Sequence, residues 1–301
     1  MKTTIRFNFD TLAAIARVIG GVALACVPAH AQSVWFVNTS GGGNGASWSS
    51  PTTLDNALAL AVTGDEIRCK EGIYTPSVMS SSPDRRSATF TVQSGVRLRG
   101  GYLGSETGGR PIGNVLGSIL DGNVQDPSTG LDNAYHVLTV TATDPVTISR
   151  FEIRNGYAVP TPAPVTPSSD TRNKGAGIFA PLGAQLTLAH LHLRENDAAD
   201  RGGALFLSNG NAVMKQCTIE HNTAVYGGGL FSGFSQVDAV NVRFSVNGLP
   251  GGGLQGGAVY LRSNSSTFTN CTFEGNLVDS PTGASGCAAF LIGGHTTVMT
   301  N

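Results

Sequence analysis

Apolar and polar residues alternate in short runs along this chain, and from residue 175 onward the runs recur on a nearly fixed period. Cys217-Thr-Ile219 and Cys271-Thr-Phe273 place a polar residue between two apolar ones, the period-two pattern of a strand with one buried face. Each such run follows a glycine turn and a second short apolar run. These openings read Gly-Ala-Gly-Ile-Phe at 175–179, Gly-Gly-Ala-Leu-Phe at 202–206, Gly-Gly-Gly-Leu-Phe at 227–231 and Gly-Gly-Ala-Val-Tyr at 256–260; Gly-Cys-Ala-Ala-Phe at 286–290 starts a fifth row. Each complete row closes on an apolar residue, two variable residues and an asparagine. The closing asparagines are Asn196, Asn222, Asn247 and Asn276, spaced 26, 25 and 29 residues apart.

A period in that range, built from β-prone runs and glycine turns, is the mark of a solenoid. Helical repeats need apolar residues every three or four positions over long runs, and glycine this dense would weaken them. Two or three short strands per row cannot bury their apolar face until the next row stacks on it. Stacking at roughly 4.8 Å sets like residue over like, so the asparagines are expected to form a structural column inside the turns, each amide bonding the next. The fold class expected is all-β: a right-handed parallel β-helix, a pectate-lyase-like solenoid, with an N-terminal cap.

The paired motif of Gly-Gly-Ala-Leu/Val and Phe-x-x-Asn resembles the chlamydial polymorphic outer membrane protein repeats and those of related bacterial surface proteins. Upstream, Trp35-Phe-Val-Asn38, Gly45-Ala-Ser-Trp48, Leu54-Asp-Asn-Ala57, Gly64-Asp-Glu-Ile67, Gly72-Ile-Tyr74, Arg86-Ser-Ala-Thr-Phe90 and Gly100-Gly-Tyr102 follow an order similar to that of many secreted bacterial β-helix proteins. The resemblance covers nearly all of residues 33–301. It implies the fold strongly and an activity weakly.

Residues 1–31 read as a signal peptide. Lys2, Arg6 and Arg17 supply positive charge, residues 18–27 form a short apolar core, and Ala29-His-Ala31 gives the small-x-small pattern before Gln32. A lipoprotein signal acylated at Cys26 is the rival, with a poor version of that motif. No later stretch approaches ~18 uninterrupted apolar residues, so no transmembrane helix is expected in the mature chain. The protein is therefore expected to be exported, either secreted or held at the outer surface of a bacterial cell.

Residues 32–301 are expected to form one β-helix domain. Residues 32–75 would be a cap and first coil, with Thr53 capping a short helix over 54–62 that closes the open end of the core. Residues 77–86 are polar and expected to protrude. Strands are expected over 96–102, 135–140 and 146–153. The prolines at 160, 162, 164 and 167 place residues 157–174 in an extruded loop, and residues 175–301 carry the regular repeats. Row five lacks its closing strand and asparagine, so the chain is expected to be incomplete at its C-terminus and to have lost a downstream cap or anchor.

Glycine contributes 40 of 301 residues and charged residues only 13%, about half the usual share of roughly 25%. A net charge of −1 gives no basic surface for nucleic acid. Cys217 and Cys271 fall in the same place in rows two apart, with Val242 between them. Two rungs put their Cα atoms roughly 9.6 Å apart, too far for a bridge, so both are expected to be free core thiols. The aspartates of Asp121-Gly-Asn and of 126–132 read as turn residues rather than calcium ligands.

Candidate chemistry falls on the outer strand face. The position two before each closing asparagine holds Arg194, Glu220, Ser245 and Glu274; the position four before holds His192, Thr218, Arg243 and Thr272. This is a mixed face, with Arg194 over Glu220 expected to pair, and it lacks the stacked carboxylates that β-helix lyases use to seat calcium. Glu220 and Glu274, two rungs apart, would stand roughly 10 Å from each other, marginal for glycoside hydrolysis. Two functions follow. The first is a non-catalytic adhesin-like or passenger-type protein whose repeat face binds a surface glycan or a host or cell-surface ligand, without cofactor or metal. The second is an extracellular polysaccharide lyase or glycoside hydrolase. For a lyase, calcium would be a possible cofactor, Arg243 the base and His192 and Arg194 the carboxylate binders, with Glu220 a further candidate on the same face.

Overall fold

Alternation along each strand sorts the side chains between a continuous core and a solvated face. The computed structural model describes residues 32–124, 133–160, 169–248, 255–262, 265–278, 286–292 and 297–300. The expected signal peptide, the aspartate turn at 126–132 and the centre of the proline-rich segment lie outside these residues.

Every strand pairing between rows is parallel, and each row adds to the same two sheets. The longer sheet runs through Val34–Val37, Glu66–Lys70, Arg97–Tyr102, Val146–Arg154, Gln185–Arg194, Asn211–Lys215, Gln236–Val240, Ser266–Thr269 and Thr297–Thr300. The second sheet stacks Phe90–Val92, Leu138–Val140, Ile178–Ala180, Leu205–Ser208, Leu230–Gly233, Val259–Arg262 and Ala289–Ile292. One apolar core fills the space between them, with Leu188, Leu193, Ile219, Phe244 and Leu261 fully buried. This is a right-handed parallel β-helix. Among the described residues no helix is long and apolar enough to cross a membrane.

Two turn devices recur along the later rows. Gly175, Gly202, Gly227, Gly256 and Gly286 all have φ between +62° and +68°, a region that L side chains rarely adopt. At Gly202 a Cβ would also lie 2.3 Å from the Leu205 carbonyl oxygen, so the row openings require glycine. The second device bends the longer sheet. His190 breaks Gln185–Arg194 with φ +54°, and Arg150, Gln216, Asn241 and Asn270 stack at the same place with φ from +50° to +62°.

The asparagines stack as a hydrogen-bonded ladder. The Asn196 Nδ2 donates to Asn222 Oδ1 at 3.0 Å, Asn222 Nδ2 to Asn247 Oδ1 at 3.0 Å, and Asn247 Nδ2 to Asn276 Oδ1 at 3.0 Å. Each acceptor oxygen also takes the backbone N–H of the asparagine below. Asn222→Ala therefore strands buried groups in two rows and is expected to cost about 1–3 kcal/mol. Glu274→Gln, on a side chain 63% exposed, is expected to cost under about 0.5 kcal/mol. Equal shifts of the two urea midpoints would contradict the ladder.

The cap helix runs Leu54–Leu60, with Thr53 Oγ1 accepting from Asn56 N, and buries Leu54, Ala57 and Leu58 against the first coils. Three expectations need correction. Residues 77–86 do not all protrude, because Arg86 is buried at 2% exposure. The segment 157–174 is not all loop: Tyr157–Ala158 pairs with Asp197–Ala198, and Thr171–Asn173 is a 3₁₀ turn. Asp121 ends a strand, Ser118–Asp121, rather than lying in a turn. In each case a distant row supplies partners that local composition does not reveal.

Cys69, Cys217, Cys271 and Cys287 are all unpaired. Burial pushes the Cys217 thiol up to about 11 and raises Cys69 further, so little thiolate forms in either. In the native protein a thiol reagent is expected to label exposed Cys287 first and to leave Cys69 and Cys217 unlabelled until denaturant is added. Mass mapping reads this directly; a Cys217–Cys271 crosslinked peptide would overturn the register.

Candidate functional site: a charged ladder on the longer sheet

The inward residues Ile153, Leu193, Ile219, Phe244 and Phe273 lie in one column, so the residues on either side of each point outward. Two outward columns result. One stacks Asp121, Arg154, Arg194, Glu220, Ser245 and Glu274; the other stacks Glu152, His192, Thr218, Arg243 and Thr272. The four candidates Arg243, His192, Arg194 and Glu220 thus share one face.

Glu152 is the hub of the lower half. Its Oε1 accepts from Arg154 Nη1 at 3.0 Å and from Arg194 Nη2 at 2.7 Å, and its Oε2 lies 3.8 Å from His192 Nδ1. Below it, Asp121 Oδ2 takes both Arg154 Nε and Nη2 at 2.9 Å, while its Oδ1 accepts from Asn155 Nδ2. Higher up, His192 Nε2 contacts Glu220 Oε1 at 2.8 Å, and Ser245 Oγ donates to Glu220 Oε2 at 3.2 Å. Arg243 stands between two carboxylates, 3.9 Å from Glu220 and 3.1 Å from Glu274.

These contacts correct the expected Arg194–Glu220 pair. The two residues are in register, but Arg194 turns down the ladder to Glu152 and sideways to Glu195, at 2.6 Å. The reason is electrostatic: Glu152 is the more enclosed carboxylate, and His192 already occupies Glu220. Partial burial works against the charge on Arg194, yet Glu152 and Glu195 hold its guanidinium above the ordinary range. Burial likewise opposes ionisation of Glu220, but the His192 and Ser245 hydrogen bonds hold its carboxyl below the ordinary range.

Sequence reading missed Asp121, Glu152 and Arg154. Their rows lack the glycine opening that marked the later repeats. The available signal was the alternation in Val146–Arg154, whose outward positions match those of Gln185–Arg194 one row on.

Chemically, the face is a set of acids and bases that pair and hydrogen-bond with one another. Glu220 and Glu274 have a guanidinium between them rather than open space for a sugar. Among the described residues no group of three or more His, Cys, Asp or Glu side chains is arranged to hold a metal ion.

The model of the right handed beta helix region family matches residues 136–301. Among solved structures, pectate lyase Pel9A is similar at 14% identity, covering 90% of this chain and 76% of that one, with a TM-score of 0.46. A pectin methylesterase mutant in complex with a hexasaccharide is similar at 12% identity, covering 81% of this chain and 80% of the other, with a TM-score of 0.34. No curated protein gives a significant sequence match.

Proposed function

The chain belongs to the right-handed β-helix family, and from that premise we propose that it is an exported, non-catalytic display protein. It is secreted or held at the outer surface of a bacterial cell, adhesin-like or passenger-type, with repeats of the polymorphic outer membrane protein kind. Its partner is a surface glycan or another cell-surface ligand, and no cofactor is needed. Residues 1–31 act as a signal peptide removed before Gln32.

The observation that carries this proposal is that the side chains of the ladder are already engaged with one another. Asp121 is matched by Arg154, Glu152 by Arg154 and Arg194, Glu220 by His192, and Glu274 by Arg243. A general base needs a free proton-accepting atom aimed at substrate. Arg243, the best-placed base in a lyase scheme, instead points its guanidinium at two carboxylates, 3.9 Å from Glu220 and 3.1 Å from Glu274. Such a ladder suits a rigid, evenly spaced surface whose side chains are ordered before any ligand arrives, which lowers the cost of binding.

Incubating the purified protein with polygalacturonate or alginate, with and without calcium, is expected to release no unsaturated or reducing sugar ends. Release that Arg243→Ala abolishes would replace the display role with a polysaccharide lyase.

A further inference from the structure

A second constellation lies on the outer face of the second sheet. In Ile178–Ala180 the first and last side chains enter the core, while the ring of Phe179 faces out. The same position in the following rows holds Phe206, Phe231 and Tyr260, stacked ring on ring at 5.5, 5.3 and 5.1 Å. His136 closes the lower end at 4.5 Å from Phe179, because the residue in register there is the small Thr139. Beside the rings runs another column, Lys174, Arg201, Tyr226 and Gln255, bridged in parallel from row to row.

Where the two columns adjoin there is a cavity of about 150 Å³ lined by Arg201, Tyr226, Phe231, Gln255, Tyr260 and Arg262. Arg262 stands in register with Gly233, and a Cβ at Gly233 would come within 3.0 Å of the Phe231 ring. Tyr226 meets Tyr260 edge-on at 5.4 Å and 70°, giving the cavity two aromatic walls.

The cations set this place apart from the ladder. Arg201 lies 5.2 Å from the Phe231 ring centroid, and its closest carboxylate contact is Asp200, a loose 3.5 Å from Nε. The terminal nitrogens of Arg201 find no acceptor among the described residues. Arg262 packs 5.3 Å from the Phe234 ring centroid and makes no ion pair among the described residues. Two guanidiniums at one cavity repel each other unless an anion lies between them. The planar fork of arginine is suited to a carboxylate.

We propose that this cavity is a subsite for one carboxylated sugar ring, which rests on the glycan-binding role above and names its ligand class. A cavity near 150 Å³ holds about one six-membered ring. The carboxylate takes charge-assisted hydrogen bonds from Arg201 and Arg262. The C–H face of the ring packs against Tyr226, beside the outer edge of Tyr260, whose face is already stacked on Phe231, and the Gln255 amide offers both a donor and an acceptor to hydroxyls.

The test is an NMR titration of the purified protein with glucuronate, glucose and benzoate. Saturable binding of glucuronate is expected, with glucose and benzoate at least about ten-fold weaker, since each lacks either the charge or the hydroxyls. Arg201→Gln and Arg262→Gln should each weaken glucuronate about ten-fold without moving the thermal melt, and Lys215→Gln on the other sheet should not. The proposal is overturned if wild-type protein does not bind glucuronate, if benzoate or glucose binds equally well, or if the arginine variants keep wild-type affinity. Binding lost in Arg194→Gln but kept in both cavity variants would remove the cavity and leave the display role standing. Polymer cleavage would do the reverse.

Discussion

Replacing Arg86 by methionine is expected to destabilise the protein by about 3–5 kcal/mol, because three main-chain carbonyls lose their donor at once. Arg86 is 2% exposed and spends its fork on main-chain carbonyls. Nε donates to Asn133 O at 2.9 Å, Nη1 to Val159 O at 3.2 Å and Nη2 to Tyr157 O at 2.6 Å. Its guanidinium also lies 4.2 Å from the Tyr135 ring centroid and 5.4 Å from that of Tyr157. One side chain thus ties the segment before Phe90 to two later rows. Methionine fills part of the space but leaves carbonyls without donors, each a loss of roughly 1–3 kcal/mol if water does not reach them. Lysine keeps the charge and loses the fork, so Arg86→Lys should recover only part of the stability. Urea unfolding followed by circular dichroism measures both. A methionine variant within about 1 kcal/mol of wild type would mean that water replaces the guanidinium.

Phe244→Ala is the second large effect expected, again about 3–5 kcal/mol. Phe244 is fully buried and lies flat on Phe273 of the next row, at 5.0 Å and 4°, with Phe268 edge-on at 6.3 Å. Alanine leaves a cavity between two rungs, and strand pairing prevents the rungs from collapsing into it. Leucine should cost much less, because the row below already holds Ile219 in the same column. In a solenoid each row touches only its neighbours, so a weakened interface uncouples what lies on either side. The alanine variant should therefore unfold in two steps, with the rows after 245 melting first. A single transition of unchanged midpoint would show that the interface between these rows adds little to stability.

Much of this architecture was legible in the chain because parallel stacking puts every repeat in the same surroundings. The glycine at each row opening answers one backbone requirement, φ near +65°, and the asparagine at each closing answers one hydrogen-bonding requirement. A residue type that solves the problem once is suited to every row, so period and register appear directly as spacing. The cap helix was legible for a local reason: Thr53 and the apolar positions of Leu54–Leu60 lie within one short segment.

What the chain did not disclose depends on neighbours far away along it. Arg86 looked like part of a polar loop, and its acceptors lie 47, 71 and 73 residues further on. Arg194 and Glu220 share a register, yet long side chains choose partners by distance and competition, and both found better ones diagonally or alongside. Phe179, Phe206, Phe231 and Tyr260 were visible as the ends of the row openings, but not as a stack on the outer face. The strand Ile178–Ala180 is buried at all three positions, so alternation gives no hint that its middle ring lies outside the core. Spacing fixes which residues stack, because the backbone ladder is periodic. Which charges pair, and which cations are left facing a cavity, is decided only when side chains from separate rows compete for the same space.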